Sequence, residues 1–397
     1  MLKGKKVLLG VAGGIASYKS PGICSLLRKN GAEVKVVMTN NATEFVTPLT
    51  FQTMSNNVCH VEMFNQLFNM DVEHISLAKW ADIIVIAPAT ANVIGKFANG
   101  IADDMLTTVL MASRCPVMIA PGMNTVMLES EANQKNMKTL KDRGVIVLGT
   151  ATDVLACNDY GSGKMLEPSE IVDEIDSLLT EKDLSGKKFV ITAGPTIEPL
   201  DPVRYLTNHS SGKMGYALAN CAKKRGAHVT LISGPTSITP PKVDNFVNVK
   251  TTRDMFDAVG EYFEDSDVLI KAAAPADYRP KNYSEEKIKK TAKGDLNSLE
   301  MEKNPDIARH YGAMKKNQLI VGFAAESNNI YEYAKEKLEK KNFDMIVVNN
   351  IKKEGAGFGT DTNIVSIIDR EKVDDLEIMS KSDLANEILD RVKRLMS

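Results

Sequence analysis

Apolar residues along this chain fall into short blocks with two alternating periods. The runs at 6–11, 33–38, 83–87 and 117–120 are compact, and the last two carry no charge. Short apolar runs of this kind predict strands covered on both faces. Between and beside them, 17–29, 103–113 and 131–143 space their apolar residues at helical intervals, and Gly31 follows the first where a helix needs an end. One more strand is predicted over 145–148. Strand and helix in strict alternation predict a parallel sheet with helices on both faces.

The rhythm breaks over the polar stretch 180–185 and then restarts. GKKFVITAGPT from Gly186 echoes GKKVLLGVAGG from Gly4. The second series predicts a helix over 214–225, a strand over 228–233, a helix over 253–263 and a strand over 268–272. Strands at 319–322 and 345–348 flank a helix over 330–341, and an amphipathic helix over 383–396 closes the chain. Two units are too few for a repeat array. The pattern predicts an α/β protein of two doubly wound, Rossmann-like domains, 1–182 and 183–397. The stretch 279–299, with its KIKKTAKGD, has no apolar period and reads as a mobile loop.

Composition narrows the function. The chain has 397 residues, enough for two or three cores, and a net charge of -2 from 49 basic and 51 acidic residues. That balance argues against a general nucleic-acid or membrane-surface binder. No run approaches the ~18 apolar residues of a membrane span. The apolar run after MLKGKK is too short for a secretory leader and ends in glycines. The five cysteines, at 24, 59, 115, 157 and 221, are odd in number and never spaced C-x-x-C. Reduced thiols in a cytoplasmic protein are expected, rather than a disulfide scaffold or a zinc ribbon.

Candidate chemistry lies where strands end. The loop GVAGGIAS at 10–17 is neither G-x-G-x-x-G nor a Walker loop. Its glycines serve either a tight turn or a phosphate at a helix N-terminus. APATAN at 87–92 offers Thr90 and Asn92 beside small residues, for a planar ring or for a helix cap. Asn124 in APGMNTVM suits a cap or a substrate carboxylate. His74 offers an imidazole, the side chain suited in general to proton transfer near neutral pH, although a lone histidine is more often structural. Cys157 lies in ACNDYGSGKM, a polar loop where a reactive thiol is less out of place than a core filler. In the second half, Arg204, Asn208, Ser210, Ser211, Gly212 and Lys213 make a donor-rich turn suited to an anion. AAAPADY at 272–278 supplies small residues and Asp277. Lysines 287, 289 and 290 are either a solvated run or a flap over a triphosphate.

GGIASYK, His74, APATAN, P-x-M-N-x-x-M, ACNDYGSGKM, AGPT-x-E-x-x-DPVRY-x-x-N-x-SSGKMG, ADYRP, KIKK and GFAAE occur in this order. Together they resemble, over essentially the whole chain, the bacterial bifunctional phosphopantothenoylcysteine decarboxylase / phosphopantothenate–cysteine ligase family of coenzyme A biosynthesis. The resemblance implies a flavodoxin-like FMN flavoprotein in the first half and a CTP-dependent, nucleotide-binding ligase in the second. It assigns Gly13, Gly14, Ser17, Thr39, Ala89, Thr90 and Asn92 to FMN. His74 corresponds to the active-site histidine, Asn124 to the substrate-carboxylate contact and Cys157 to the proton donor of the reductive step. The family usually has alanine where Gly122 stands.

For the ligase half the resemblance assigns Ala272, Ala273, Ala274, Asp277, Lys287, Lys289, Pro305, Asp306, Ile307, Ala308, Phe323, Lys337 and Lys341 to CTP. Arg204 and Asn208 would handle an acyl-cytidylate, and Lys287 the activation step. Magnesium would accompany CTP, though no ligands for it are named. The implied substrates are 4′-phosphopantothenate, cysteine and CTP. The implied assembly is a dodecamer built from trimeric decarboxylase and dimeric ligase halves. The presence of Asn208, Asp277 and Lys287 argues against a silent ligase half. His74 and Cys157 argue against a flavin-binding regulatory subunit, and the missing G-x-G-x-x-G against a nicotinamide oxidoreductase.

Overall fold

The computed structural model describes residues 2–64, 72–154, 160–288, 299–326, 330–350 and 359–396. Two compact units divide the chain, Met1–Thr180 and Glu181–Ser397.

The first unit is built on six parallel strands: β1 (Lys6–Val11), β2 (Glu33–Met38), β3 (Cys59–His60), β4 (Ile83–Ala89), β5 (Val117–Pro121) and β6 (Ile146–Val147). Their order is β3-β2-β1-β4-β5-β6, the order of dinucleotide-binding sheets. The apolar runs explain why both faces are covered. Along β1, Val7, Leu9 and Val11 join one core and Leu8 the other. Along β4, Ile83 and Val85 face the first core, and Ile84 and Ile86 the second. With side chains alternating across the pleat, a continuous apolar run fills two cores at once. A hairpin, β7 (Ala151–Val154) with β8 (Tyr160–Lys164), stands apart from the sheet. The predicted helix at 17–29 begins instead as a 3-10 turn, Ile15–Lys19, and becomes α-helical at Ser20–Lys29, where a proline sits in the first turn.

The second unit repeats the scheme with β9 (Lys188–Ala193). A small hairpin follows, β10 (Ile197–Pro199) with β11 (Tyr205–Thr207). Then come β12 (His228–Ser233), β13 (Asn245–Asn248) and β14 (Val268–Lys271), a second hairpin of β15 (Tyr278–Pro280) and β16 (Met301–Lys303), and β17 (Leu319–Glu326) and β18 (Met345–Asn350). The sheet order is β13-β12-β9-β14-β17-β18, extended by two antiparallel strands, Val365–Asp369 and Val373–Asp375. The echoing segments at 4 and 186 are thus the equivalent central strands of two equivalent sheets.

The predicted loop at 279–299 differs from expectation. Its start lies in β15, where Arg279 pairs with Glu302 of β16 at 2.8 Å. Strands of three residues leave too short a pattern to read. Lys289 and Lys290 lie outside the described residues.

In each sheet the strand order reverses across the middle, between the parallel strands β1 and β4 and between β9 and β14. The crevice at the carboxyl ends of such strands is where doubly wound folds bind ligands.

Candidate functional site

In the first unit that crevice is a cavity of ≈ 1060 Å³, lined among others by Gly13, Gly14, Thr39, Thr90, Asn92, Gly122 and Asn124. Gly13 is there because the β1 loop runs against the turn at 39–41. A Cβ on Gly13 would stand 2.6 Å from the Asn41 carbonyl carbon and 2.8 Å from its oxygen. Ser17 is 0% exposed and Thr39 is 8% exposed, and neither hydroxyl has a partner among the described residues. A buried hydroxyl left unpaired costs free energy unless something meets it. Thr39 lines the cavity, whereas Ser17 is not among its lining residues; with Gly13 and Gly14, at the turn that leads into helix Ser20–Lys29, the Thr39 hydroxyl fits the phosphate end of a flavin nucleotide.

The remaining residues are placed less uniformly. Thr90 caps helix Ala91–Ala98 through the Val93 N–H at 3.4 Å, and Asn124 caps Thr125–Glu129 through the Val126 N–H at 2.9 Å. Both therefore perform the capping role that their sequence context also allowed. Ala89 is buried in the core, and its carbonyl accepts from the Gly122 N–H at 3.1 Å. His74 is half-buried in the first turn of helix Glu73–Trp80 and is not among the residues lining the cavity. Cys157 lies outside the described residues. The described cysteines are all free, and burial pushes the Cys24 thiol up to about 11 and that of Cys59 up to about 12, so neither is a ready nucleophile. A Cβ at Gly122 would meet those of Ala16, Pro88 and Met165 at 3.3 Å each, so the glycine widens the cavity wall.

Sequence reading missed Lys19. Its nearly buried ammonium donates to the Met165 carbonyl at 3.1 Å and pairs with Glu167 at 2.7 Å, fixing the segment after β8 beside the cavity. A lysine in an otherwise uncharged glycine turn was the available signal.

In the second unit the ends of β9 and β14 are laced together. Thr192 Oγ1 accepts from the Ala273 N–H at 3.3 Å, the Gly194 carbonyl from Ala274 at 2.9 Å, and Thr196 Oγ1 from Ala276 at 3.0 Å. Below them lies Glu198, 1% exposed. It accepts from the Thr252 N–H at 2.9 Å, the Thr252 hydroxyl at 2.8 Å and the Thr196 hydroxyl at 3.2 Å. Asn208 Nδ2 donates to the Ala274 and Pro275 carbonyls at 3.0 and 3.3 Å. The Asp277 carbonyl takes the Asn304 N–H at 2.9 Å. The network thus joins Asn208, Ala273, Ala274 and Ala276 at the ends of β9 and β14.

Asp306 caps helix Ile307–Met314 and pairs with Lys341 at 3.1 Å. Ile307 and Ala308 are buried in the core, so only their backbone can reach a ligand. Phe323 packs against the opposite core, and Lys337 is half-buried on helix Ile330–Lys340. Lys271, unremarked in the sequence, closes β14 beside this group. Burial and then the Lys341 charge push its ammonium down to about 8, against the pull of Asp306 and Asp277. Gly212 holds φ +78 at the N-cap of helix Lys213–Lys224, a conformation that excludes most side chains. Lys213 is held by the Gly359 carbonyl and Asp361, at 2.8 and 2.7 Å. Arg204 is clamped on Asp201 and lines a hollow of ≈ 260 Å³ with Lys250, Tyr205 and Tyr283. Lys287 is exposed.

Among the described residues no three or more His, Cys, Asp or Glu side chains form a metal-holding group, and no helix is long and apolar enough to cross a membrane.

Comparison with known proteins divides the chain at nearly the same place. Residues 1–180 match the family described as "Flavoprotein", and residues 184–396 match "DNA/pantothenate metabolism flavoprotein C-terminal domain". The coenzyme A biosynthesis bifunctional protein CoaBC of Bacillus subtilis is 47% identical over 100% of this chain and 98% of its own. That of Vibrio vulnificus is 45% identical over 100% and 99%. A solved C-terminal domain of a CoaBC protein is 41% identical, covers 54% of this chain and 98% of its own, and superposes with a TM-score of 0.47.

Proposed function

The chain belongs to the family of coenzyme A biosynthesis bifunctional proteins, and from that premise we propose how its two halves divide the work. The protein is both a phosphopantothenate–cysteine ligase and a phosphopantothenoylcysteine decarboxylase. The observation that carries this reading is a relationship spanning the whole chain, so that both activities come together rather than one by analogy with a single domain.

The second half acts first. The carboxylate of 4′-phosphopantothenate attacks the α-phosphorus of CTP and pyrophosphate leaves. The amine of cysteine then displaces CMP from the acyl-cytidylate. Asn208, whose amide nitrogen donates to the Ala274 and Pro275 carbonyls, handles that intermediate at the end of β14. Asp277, Lys341, the backbone of 272–274 and the first turn at 305–308 hold the nucleotide. Lys287 and Lys289 neutralise phosphate charge as it develops. Magnesium enters with CTP, bound mainly by the phosphates.

The first half then removes the cysteinyl carboxylate, leaving 4′-phosphopantetheine. Gly13, Gly14, Ser17 and Thr39 would hold the FMN phosphate, with Ala89, Thr90 and Asn92 along the ring. FMN supplies the two-electron chemistry that eases loss of the carboxylate. Asn124 meets that carboxylate with its amide donors, His74 assists proton movement and Cys157 delivers the last proton. The chain is placed in the cytoplasm as a homo-oligomer, trimeric in its decarboxylase halves and dimeric in its ligase halves.

The test is one reaction with 4′-phosphopantothenate, cysteine, CTP and magnesium, read by mass spectrometry on yellow, FMN-loaded protein. Phosphopantetheine and CMP in equal amounts are expected. Phosphopantothenoylcysteine accumulating without carbon dioxide would overturn the decarboxylase half, and CTP left intact the ligase half.

A further inference from the structure

The turn between β10 and β11 carries DPVR, and the reaction chemistry gives its aspartate no task. Asp201 is buried, its side chain 0% exposed. Its Oδ1 accepts from the backbone N–H groups of Val203 and Arg204 at 2.8 and 2.9 Å, which folds the turn. Its Oδ2 accepts from Arg204 Nε and Nη2 at 2.9 and 2.6 Å. The same oxygen accepts from the N–H of Ile288, 87 residues along the chain, at 3.2 Å. Arg204 Nη2 in turn donates to the Ile288 carbonyl at 2.7 Å. A third tie runs from the Ser284 N–H to the Leu200 carbonyl at 3.0 Å.

Both backbone groups of Ile288 are therefore gripped by one ion pair. Folding the turn needs only the Oδ1 bonds, so the Oδ2 contact with Ile288 is additional to that task. Burial alone would push the Asp201 carboxyl up. The bonds from Val203, Arg204 and Ile288 outweigh it and hold the group well below the usual carboxylate range, so it stays an acceptor. Lys287 is exposed, one peptide bond from the anchored residue and between the two anchor points.

We propose that Asp201 is a positioning residue of the ligase half: with Arg204 it anchors Ile288 and so fixes where the Lys287 ammonium meets the nucleotide phosphates. This rests on the reading of the second half as a CTP-dependent ligase with Lys287 as its activating lysine. An anchor of this kind matters because a displacement of about 1 Å in a catalytic group can cost on the order of a hundredfold in rate.

The test is Asp201→Asn in the full chain loaded with FMN. Asparagine keeps the size and the Oδ1 acceptor of the turn, while its NH2 cannot accept from Ile288 or Arg204. Backbone hydrogen exchange over 284–288 should speed up about tenfold or more, with 197–207 unchanged. The kcat of ligation should fall roughly tenfold to a hundredfold, with the KM for cysteine unmoved and decarboxylation at the wild-type rate. Should this variant fail to fold, Ser284→Pro removes the third tie without touching the ion pair and should move exchange and kcat the same way. Unchanged exchange over 284–288, or faster exchange with ligation at the wild-type rate, overturns the proposal. A wild-type chain that releases no CMP defeats the ligase reading and the positioning role with it, and exchange then still reports whether the anchor exists.

Discussion

In the first half the ends of β1 and β4 border a cavity and leave the hydroxyls of Ser17 and Thr39 without partners among the described residues, whereas in the second half the matching ends of β9 and β14 are tied together by Thr192, Thr196, Glu198 and Thr252. The strand order is the same. What differs is where the polar groups at the switch point find their partners. Unpaired buried hydroxyls suit a group that stays bound and supplies the missing bonds. A crevice whose bonds are satisfied internally keeps its shape while substrates enter and leave.

That contrast can be broken in order of effect. Lys287→Gln should reduce ligation below detection, while decarboxylation of added phosphopantothenoylcysteine continues at the wild-type rate. Loss of both activities in a folded variant would show that the halves do not work separately. Glu198→Ala comes next. It strips the acceptor from the Thr252 N–H and from two threonine hydroxyls in a site closed to water. The second half should lose about 2–4 kcal/mol in urea unfolding, with flavin retention in the first half unaffected. A loss below about 0.5 kcal/mol would mean that the network does not hold the crevice.

Ser17→Ala sharpens the other side. Removing an unpartnered hydroxyl should leave the flavin-free protein as stable as before or slightly more so. FMN affinity, read by flavin fluorescence, should fall about tenfold or more, the value of a hydrogen bond to a charged group. Destabilisation without a change in affinity would make Ser17 structural.

The smallest effect is on pH. The folded protein disfavours the Lys271 ammonium, whose pKa is pushed down to about 8, below the ~10.4 of an unfolded chain. Below pH 8 the group is charged in both states and the fold carries the full penalty. The penalty fades as pH rises towards ~10.4. Lys271→Met should therefore be the more stable protein at neutral pH without nucleotide, with the difference closing above pH 8. A difference constant with pH would leave Lys271 an ordinary surface lysine.

Much of this was legible in the chain itself. Uncharged runs such as 83–87 and 117–120 specify central strands, because only a strand buried on both faces tolerates them. The echo of residues 4–14 in 186–196 gave two equivalent sheets, and the ordered motifs gave the family. The helix Pro168–Leu179 was not predicted, although a proline in its first turn and a capping box mark its start. Short elements escaped as well, among them β3, the β10–β11 and β15–β16 hairpins and the strand Val373–Asp375. Two or three residues carry no period, and such strands exist only because a neighbour offers hydrogen bonds.

The sequence by itself determined the two α/β halves, the strand ends on which the glycine, threonine and asparagine motifs sit, and the family. Tertiary structure alone decided which polar groups met each other. Nothing in DPVR or KIKK says that Asp201 reaches Ile288, that Glu198 lies beneath Thr252, or that Ser17 meets no partner among the described residues. Periodicity records which side a residue faces, because burial acts on each residue locally. A hydrogen bond needs two groups within about 3 Å, and for groups distant in sequence only the folded chain sets that distance.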